Sequence, residues 1–300
     1  MGICEDRVVI VTGAGRGLGR AYALELARQG AAVVVNDLGV GNHGEDTGER
    51  PGEQVVAEIE AMGGRAVANF DDVADWDGGG RIVQTALDTF GGLHAVVNNA
   101  GIVRDRMFVS ATVDEWDAVM RVHLRGHFCT SRHAVDYWRA EAKAGRQVDA
   151  RIINTTSGAG LQGSIGQSAY SAAKAGIAGL TLVQAAELGR YGITANAIAP
   201  QARTRMTEGA FGEAMSRKED GLDVFAPENT APLLAWLCSQ EAEVTGQVFE
   251  LLGSKLWLSL GWNDGPSRQN DGRWPAEKIG SAVAELMAER PAAKPVYGTS

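Results

Sequence analysis

Three side chains near the middle of the sequence have the types and spacing needed for acid–base chemistry. Ser157 follows a short apolar run, and thirteen residues later Tyr170 opens a predicted helix that carries Lys174 one turn on. Because positions i and i+4 share a helix face, Tyr170 and Lys174 can point into one pocket. A free tyrosine has a pKa of about 10, and a nearby ammonium favours the phenolate and lowers that value. With Ser157 holding a substrate oxygen, the set predicts proton transfer at a hydroxyl or carbonyl group without a metal ion.

The elements that must position these residues alternate regularly. Short apolar runs rich in Val, Ile and Ala alternate with longer helical stretches, which predicts a parallel sheet flanked by helices. Most of the runs are almost continuously apolar, so we expect strands that are buried on both faces. The predicted strands are Arg7 to Thr12, Ala31 to Asn36, Arg65 to Phe70, Leu93 to Asn98, Ala150 to Thr155, Ile193 to Ile198 and Gln247 to Leu251. The predicted helices are Leu18 to Gln29, Gly52 to Met62, Gly80 to Phe90, Val113 to Ala142, Ser168 to Gly189 and Pro227 to Ser239.

A chain of 300 residues suits one α/β domain with additions. We predict a doubly wound domain with a seven-stranded parallel sheet over residues 1–252. Residues 253–300 form a C-terminal extension, which we expect to pack on the domain or on a partner subunit. Two stretches inside the domain break the alternation. The Gly-rich polar stretch Leu38 to Pro51 predicts a surface loop, and the mixture of Met, Phe and charge in Thr204 to Val224 predicts a mobile lid over the substrate.

A glycine-rich turn between the first strand and the first helix is the candidate cofactor site. Its sequence, TGAGRGLG over residues 12–19, lets backbone approach a pyrophosphate, while the helix start offers unpaired N–H groups and partial positive charge. A tight strand-to-helix turn is the ordinary interpretation of such a stretch. The order of strand, glycines, helix and second strand, however, is the one that a dinucleotide-binding, Rossmann-like fold requires. The candidate residues are Gly13, Arg16, Gly17, Leu18 and Gly19.

Further cofactor candidates follow the carboxyl ends of other strands, where ligands of open sheets bind. Asp37 ends the second strand, and a carboxylate there accepts both ribose hydroxyls of NAD and repels the 2′-phosphate of NADP. Arg16 could offset its charge, but Asp37 favours NAD. Asp72 could hydrogen-bond the adenine, with a simple turn as the alternative. The candidates after the third and fourth strands are Asp72, Val73, Asn99, Ala100 and Gly101.

These motifs occur together in one family. The segments TGAGRGLG, NNAG, Ser157 and Tyr-Ser-Ala-Ala-Lys, in this order and spacing, resemble the short-chain dehydrogenase/reductase family from about residue 7 to residue 251. The resemblance implies a nicotinamide cofactor, with Tyr170 as the general acid or base. It makes Lys174 the partner that lowers the tyrosine pKa and binds the nicotinamide ribose, and Ser157 the donor to the substrate oxygen. The further nicotinamide contacts that it implies are Pro200 and Thr204.

Two positions depart from the family pattern. Where most members have asparagine this chain has His123, at a position that the resemblance links to a water relay feeding protons to Lys174. A closer subgroup also has histidine there, so His123 is carried over as a fourth catalytic residue. The usual Pro-Gly after the sixth strand is Pro200-Gln201 here, which puts the nicotinamide contacts of residues 202–204 in doubt.

Longer phrases narrow the resemblance to a subgroup. VNDLG (35–39), GRAVAN (64–69), VHLRG (122–126) and WLC (236–238) are similar to the 3-hydroxyacyl-CoA dehydrogenase domains of peroxisomal multifunctional enzymes type 2 and their bacterial relatives. That subgroup is also known for 17-beta-hydroxysteroid activity. The resemblance therefore implies a 3-hydroxyacyl-CoA or a hydroxysteroid as substrate, and a homodimer or homotetramer formed through the long helices.

Charge and cysteine content limit the partners and the compartment. The formal net charge of -9 at pH 7 would repel nucleic acid and anionic membranes, because both are bound mainly through neutralised phosphates, so we expect neither. The three cysteines, at positions 4, 129 and 238, are an odd number and lack the C-x-x-C spacing that a metal or redox site would need. This pattern fits a reducing cytoplasm. The first residues lack a signal-peptide pattern. We expect a cytoplasmic protein whose partner is a small-molecule substrate.

Other interpretations stay open at this point. His123, His127 and His133 share a predicted helix, but without a matching carboxylate motif we expect one relay position and two ordinary helix residues rather than a metal site. Arg104 and Arg106 could bind the phosphates of a CoA thioester or be solvated charges. The alternative functions are an NADPH-dependent 3-oxoacyl carrier-protein reductase, which the aspartate after the second strand argues against, and a catalytically silent nucleotide-binding scaffold, which the intact Ser-Tyr-Lys set argues against.

Overall fold

Eight strands of the computed structural model form one sheet in the order β3-β2-β1-β4-β5-β6-β7-β8. The structure describes residues 2–41, 45, 48–204, 221–292 and 294–296. The strands are β1 (Val8–Thr12), β2 (Ala32–Asn36), β3 (Arg65–Asn69), β4 (Ala95–Asn98), β5 (Ala150–Thr155), β6 (Ile193–Pro200), β7 (Val248–Leu252) and β8 (Lys255–Ser259). The first seven are parallel, as predicted, and all residues of β1 and β2 are buried.

The eighth strand corrects the predicted seven-stranded sheet. β8 pairs antiparallel with β7 through a two-residue connection, Gly253-Ser254, in which Gly253 has a φ of +56°. Glycine adopts such left-handed backbone without the clash that a side chain would cause, which suits it to a tight hairpin. The first residues of the predicted C-terminal extension thus add an edge strand to the sheet. Later in the extension, Lys294 Nζ lies 3.5 Å from the buried carboxylate of Glu250 on β7.

Helices cover both faces of the sheet, which confirms the doubly wound architecture. The helices are α1 (Gly17–Arg28), α2 (Pro51–Ala61), α3 (Trp76–Phe90), α4 (Val113–Met120), α5 (Gly126–Lys143), α6 (Gly158–Gln162), α7 (Ser168–Leu188), α8 (Ala231–Cys238) and α9 (Ala276–Glu289). One hydrophobic cluster joins α1, α2 and α8 to the sheet, and a second joins α3, α5 and α7 to its other face. No described helix combines the length and apolarity that a membrane crossing requires.

Two predicted segments differ from the structure, and most of a third lies outside the described residues. A π-helical segment, Arg121–Arg125, interrupts the helix predicted from Val113 to Ala142 and separates α4 from α5. The helix predicted from Gly80 begins instead at Trp76, because the Asp75 side chain accepts a hydrogen bond from the N–H of Gly78 at 2.8 Å and caps the helix there. Of the predicted lid, residues 205–220 lie outside the described residues.

Candidate active site

The carboxyl ends of the parallel strands border a groove of about 460 Å³. Parallel strands bring these ends to one edge of the sheet, which is where ligands of such folds bind. All the residues that the sequence predicted for cofactor binding or catalysis line this groove. They are Gly13, Arg16, Gly17, Leu18, Gly19, Asp37, Asp72, Val73, Asn99, Ala100, Gly101, His123, Ser157, Tyr170, Lys174, Pro200 and Thr204.

The glycine-rich turn between β1 and α1 is tightly packed and held by hydrogen bonds. A Cβ at Gly19 would lie 2.1 Å from the carbonyl oxygen of Gly13, so a larger residue would force the turn apart. Asn99 holds the turn from the neighbouring strand, because its Nδ2 donates to the carbonyl oxygens of Thr12 at 3.0 Å and Gly13 at 3.2 Å. Among the described residues, no side chain caps the start of α1 at Arg16. The uncapped N–H groups and the helix dipole there fit the pyrophosphate of a dinucleotide.

The acidic residue after β2 is fixed by the same turn. Asp37 Oδ2 accepts a hydrogen bond from the N–H of Gly15 at 2.8 Å, and Oδ1 accepts one from the N–H of Gly39 at 2.9 Å. The carboxylate thus has a set orientation beside the glycine-rich turn, with acceptor capacity left for ribose hydroxyls. Arg16, which could have offset its charge, forms an ion pair with Glu49 instead.

The segment after β3 holds the other acidic candidate. Asp72 Oδ1 accepts from the N–H of Ala74 at 2.8 Å, and Oδ2 lies 2.6 Å from Arg121 Nη2. Asp72, Val73 and Arg121 all line the groove, so the π-helical segment contributes a cation to the predicted adenine end. The sequence did not single out Arg121.

Lys174 is the central buried charge of the predicted catalytic set. Its side chain is 2% exposed, and Nζ donates to the carbonyl oxygen of Thr155 at 2.6 Å. The same Nζ lies 5.5 Å from the centre of the Tyr170 ring, one helical turn away on α7. Burial lowers the pKa of Lys174 to about 7. An ammonium at this place favours a negative charge on the neighbouring phenol oxygen.

Ser157 stands at the end of β5, on the same side of the groove. It caps the short helix α6, where its Oγ accepts from the N–H of Ala159 at 3.2 Å. Because that bond uses only an acceptor site, the hydroxyl hydrogen stays able to donate to a substrate oxygen. α6 lies close against α7: a Cβ at Gly160 would come within 2.6 Å of the Lys174 backbone.

His123, in the π-helical segment, packs against the tyrosine. Its ring stands edge-on to the Tyr170 ring with a centroid distance of 5.2 Å, and Nε2 lies 2.7 Å from the carbonyl oxygen of Ile102. Burial, reinforced by the nearby charge of Lys174, lowers the pKa of His123 to about 3, so the imidazole is neutral at physiological pH. Nδ1 is buried and has no hydrogen-bond partner within the described residues. The proton-relay role of His123 remains a prediction.

Comparison with known proteins decides the family. The profile of the short chain dehydrogenase family matches residues 7–213, which include the glycine-rich turn, Ser157, Tyr170 and Lys174. The chain belongs to the short-chain dehydrogenase family. As a member, this dehydrogenase is an oxidoreductase that acts on CH–OH groups and binds a nicotinamide dinucleotide.

The short-chain dehydrogenase also has similar relatives over most of its length. It is 46% identical over 257 residues to hydroxyacyl-CoA dehydrogenase ChsB1 of Mycobacterium tuberculosis, covering 85% of this chain and 80% of that protein. It is 47% identical over 257 residues to peroxisomal multifunctional enzyme type 2 of Mus musculus, covering 84% of this chain but 33% of that longer protein. A crystal structure of a short chain dehydrogenase from Mycobacterium avium superposes with a TM-score of 0.89 at 55% identity, covering 99% of this chain and 100% of that one.

The structure of the dehydrogenase also reveals a contact that the sequence did not predict. His127, expected to be an ordinary helix residue, is 2% exposed, and its Nε2 accepts from the N–H of Thr155 at 3.4 Å. Thr155 is the residue whose carbonyl receives Lys174, so His127 helps to hold that acceptor in place. The third histidine, His133, lies outside the groove with its ring 4.3 Å from that of Trp76 and tilted by 47° to it. Within the described residues, no group of three His, Cys, Asp or Glu side chains could hold a metal ion.

The two candidate CoA-binding arginines differ in their surroundings. Arg104 lines the groove, whereas Arg106 is ion-paired with Glu115, at 2.6 Å from Nη2 to Oε1, on the capped start of α4. After β6, Pro200, Gln201 and Thr204 line the groove as well.

Gly101 offers a test of how closely this site is packed. A Cβ at Gly101 would lie 2.3 Å from His123 Cε1, so Gly101→Ala should displace the imidazole and, through it, the Tyr170 ring. We expect kcat to fall by roughly 10–100-fold, since small misplacements of reacting groups have effects of this size. Steady-state kinetics measures the loss. Gly189→Ala at the end of α7, where the backbone is helical and a Cβ would meet no described atom within 4 Å, is the matched control and should keep full activity. Equal kcat in both variants would show that the site tolerates movement of His123.

Proposed function

We propose that this dehydrogenase uses NAD to interconvert a secondary alcohol and a ketone, with a 3-hydroxyacyl-CoA or a hydroxysteroid as substrate. The observation that carries the proposal is the buried ammonium of Lys174, bonded to Thr155 and 5.5 Å from the Tyr170 ring centre, at the edge of the groove. The glycine-rich turn and Asp37 supply a dinucleotide site in the same groove.

In the proposed oxidation, each catalytic side chain has one task. The Ser157 hydroxyl donates a hydrogen bond to the substrate oxygen and orients it. The phenolate of Tyr170 accepts the proton of the alcohol, and Lys174 stabilises that phenolate by its charge. NAD, when bound, supplies the hydride acceptor. The carbonyl of Thr155 keeps the lysine in place, because the 2.6 Å hydrogen bond fixes Nζ beside the tyrosine. In the reverse direction Tyr170 donates the proton.

The preference for NAD over NADP rests on charge at the end of β2. Asp37 is positioned by two backbone N–H groups and would accept ribose hydroxyls, while its charge would repel a 2′-phosphate. Arg121, a second groove arginine, is engaged by Asp72. This distribution of charge favours the cofactor that lacks the extra phosphate.

The proposed substrate class rests on the names of similar proteins and on the position of Arg104 in the groove. Hydroxyacyl-CoA dehydrogenase ChsB1 is named for a CoA thioester, and Arg104 lines the groove beyond Gly101. A guanidinium there could bind a phosphate of the CoA moiety. Arg106 fits this task less well because Glu115 already neutralises it.

Absorbance at the NADH band tests the proposal directly. We expect it to rise when the protein is mixed with NAD and 3-hydroxyacyl-CoA thioesters, or with NAD and hydroxysteroids. The absence of a rise with every alcohol in both panels would overturn the proposed activity. A tighter binding of NADPH than of NADH would instead favour the carrier-protein reductase. Ser157→Ala is a matched control that should keep the dinucleotide bound while losing turnover.

We also propose that the protein forms dimers or tetramers through α5 and α7. These helices present large apolar side chains to solvent in the single chain: Phe128 is 47% exposed, Leu182 is 54% and Val183 is 51%. Such residues are typical of protein–protein contacts when they lie close together. Solution scattering would give the mass of the assembly, and a monomer would overturn this part of the proposal.

A further inference from the structure

Arg16 and Glu49 form an ion pair close to the backbone that holds Asp37, at the predicted ribose end of the groove. Asp37 binds the N–H groups of Gly15 and Gly39. Arg16 follows Gly15 directly and lines the groove. The backbone of Glu49 lies close to Gly39, since a Cβ at that glycine would come within 2.3 Å of the Glu49 carbonyl oxygen. Both flanking residues are therefore next to backbone that holds the Asp37 carboxylate.

Among the described residues, Arg16 is the cation best placed to receive a phosphate beside Asp37. Of the other arginines that line the groove, Arg121 is paired with Asp72, and Arg104 belongs to the segment after β4. Arg16 is 27% exposed in its side chain and forms its ion pair with Glu49, which is 60% exposed. Arg50, the next residue along the insertion, is turned over the ring of Phe70 at 4.6 Å.

We propose that Glu49 is a specificity-determining residue that keeps the protein selective for NAD. By pairing with Arg16, it withholds the guanidinium from a 2′-phosphate and adds a second negative charge beside Asp37. With Arg16 positive and both carboxylates ionised, these three side chains carry a net charge of -1, which repels a dianionic phosphate. This inference rests on the proposed use of NAD.

Binding of two adenosine nucleotides tests the inference without requiring turnover. Adenosine 5′-monophosphate and adenosine 2′,5′-bisphosphate differ only in the phosphate at issue, and calorimetry gives both dissociation constants. In Glu49→Gln we expect the bisphosphate to bind about three- to tenfold more tightly, while the monophosphate changes little, because one screened charge near the surface has an effect of this order. The ratio of kcat/KM for NADP to that for NAD should rise by a similar factor.

Two further variants distinguish an effect of the Arg16–Glu49 ion pair from a general effect of removing a surface charge. Glu60→Gln removes an exposed carboxylate of α2 and should leave both affinities as they are. The double variant Arg16→Gln with Glu49→Gln should lose the gained affinity for the bisphosphate, because the freed guanidinium is gone. In 0.5 M salt the gain in Glu49→Gln should shrink, since exposed charges are screened within about 3–10 Å at such ionic strengths.

The outcomes distinguish this inference from the proposed function. If the wild-type protein binds the monophosphate but Glu49→Gln does not gain affinity for the bisphosphate, the role of Glu49 is wrong and the NAD-dependent function stands. If the wild-type protein binds neither nucleotide, or prefers the bisphosphate, the proposed use of NAD fails and the inference fails with it. A gain that survives in the double variant would also overturn the role of the Arg16–Glu49 pair.

Discussion

Tyr170→Phe should lower kcat/KM for alcohol oxidation by about 10²–10⁴-fold, the range that a positioned general acid or base contributes. The substitution removes one oxygen and leaves the ring, so the edge-on packing of His123 at 5.2 Å can persist. Lys174 keeps its hydrogen bond to Thr155, because that bond does not involve the phenol. The loss should therefore appear in turnover, while the binding of NADH and the thermal stability stay close to the wild-type values.

The measurement is steady-state kinetics with a saturating alcohol, together with a fluorescence titration of NADH. Tyr191→Phe provides the control, since Tyr191 lies under the guanidinium of Arg139 at 5.4 Å, away from the groove, and should have no part in the reaction. Turnover that survives Tyr170→Phe unchanged would assign the proton transfer to another group. A loss of NADH binding as large as the loss of turnover would mean that the hydroxyl positions the cofactor rather than the proton.

Lys174→Met should abolish most of the activity and make the protein more stable. The activity falls, by about 10²–10⁴-fold, because the charge that favours the phenolate is gone. The stability rises because a thioether of similar length replaces an ammonium that is 2% exposed and hydrogen-bonded to one carbonyl oxygen. Replacing a functional group that is held in unfavourable surroundings commonly raises the stability of a protein and lowers its activity.

The gain in stability should depend on pH in a defined direction. Burial lowers the pKa of Lys174 from an ordinary 10.5 to about 7. Between these values the unfolded chain holds the proton and the folded protein does not, so the free energy of unfolding of the wild-type protein rises with pH across this window. Below pH 7 both states are protonated and the cost of the buried ammonium is fully present. Lys174→Met removes that cost, and its advantage should be about 2–3 kcal/mol larger at pH 6 than at pH 9.

Thermal or denaturant unfolding of both proteins at pH 6 and pH 9 measures this difference. Lys143→Met, at the exposed end of α5, is the matched control and should show no pH-dependent gain over this interval. A variant that is less stable than the wild type at both pH values would show that the hydrogen bond to Thr155 outweighs the burial of the charge. An advantage that grows with pH would contradict the lowered pKa.

Much of the fold followed from local sequence patterns. The seven parallel strands were predicted to within two residues at every end, because each is a short apolar run bounded by turn residues. Strand β8 was missed although Leu256, Trp257 and Leu258 form a short apolar run directly after β7. The Gly-Ser pair between the two runs was the signal that could have found the hairpin. The π-helical segment had no such signal, since its residues continue a helical pattern on both sides.

The residues of the candidate site also divide into those that local sequence patterns predicted and those that only the tertiary structure revealed. Tyr170 and Lys174 were paired from their spacing on one helix, and the cofactor residues from their places after strands. His127 was not found, because its contact with Thr155 depends on how close α5 lies to the end of β5. Arg121 was not found either, because its ion pair with Asp72 joins the π-helical segment to the loop after β3.

The amino-acid sequence by itself determined the order of strands and helices, the glycine-rich turn and the tyrosine–lysine pair, because periodicity, turn chemistry and helical spacing act between residues close together in the chain. The tertiary structure decided which carboxylate engages Arg16, which carbonyl holds Lys174, and how far burial lowers the pKa of that lysine. These depend on the distance between segments far apart in sequence, and on the water that packing excludes, and neither quantity is encoded in any one stretch of residues.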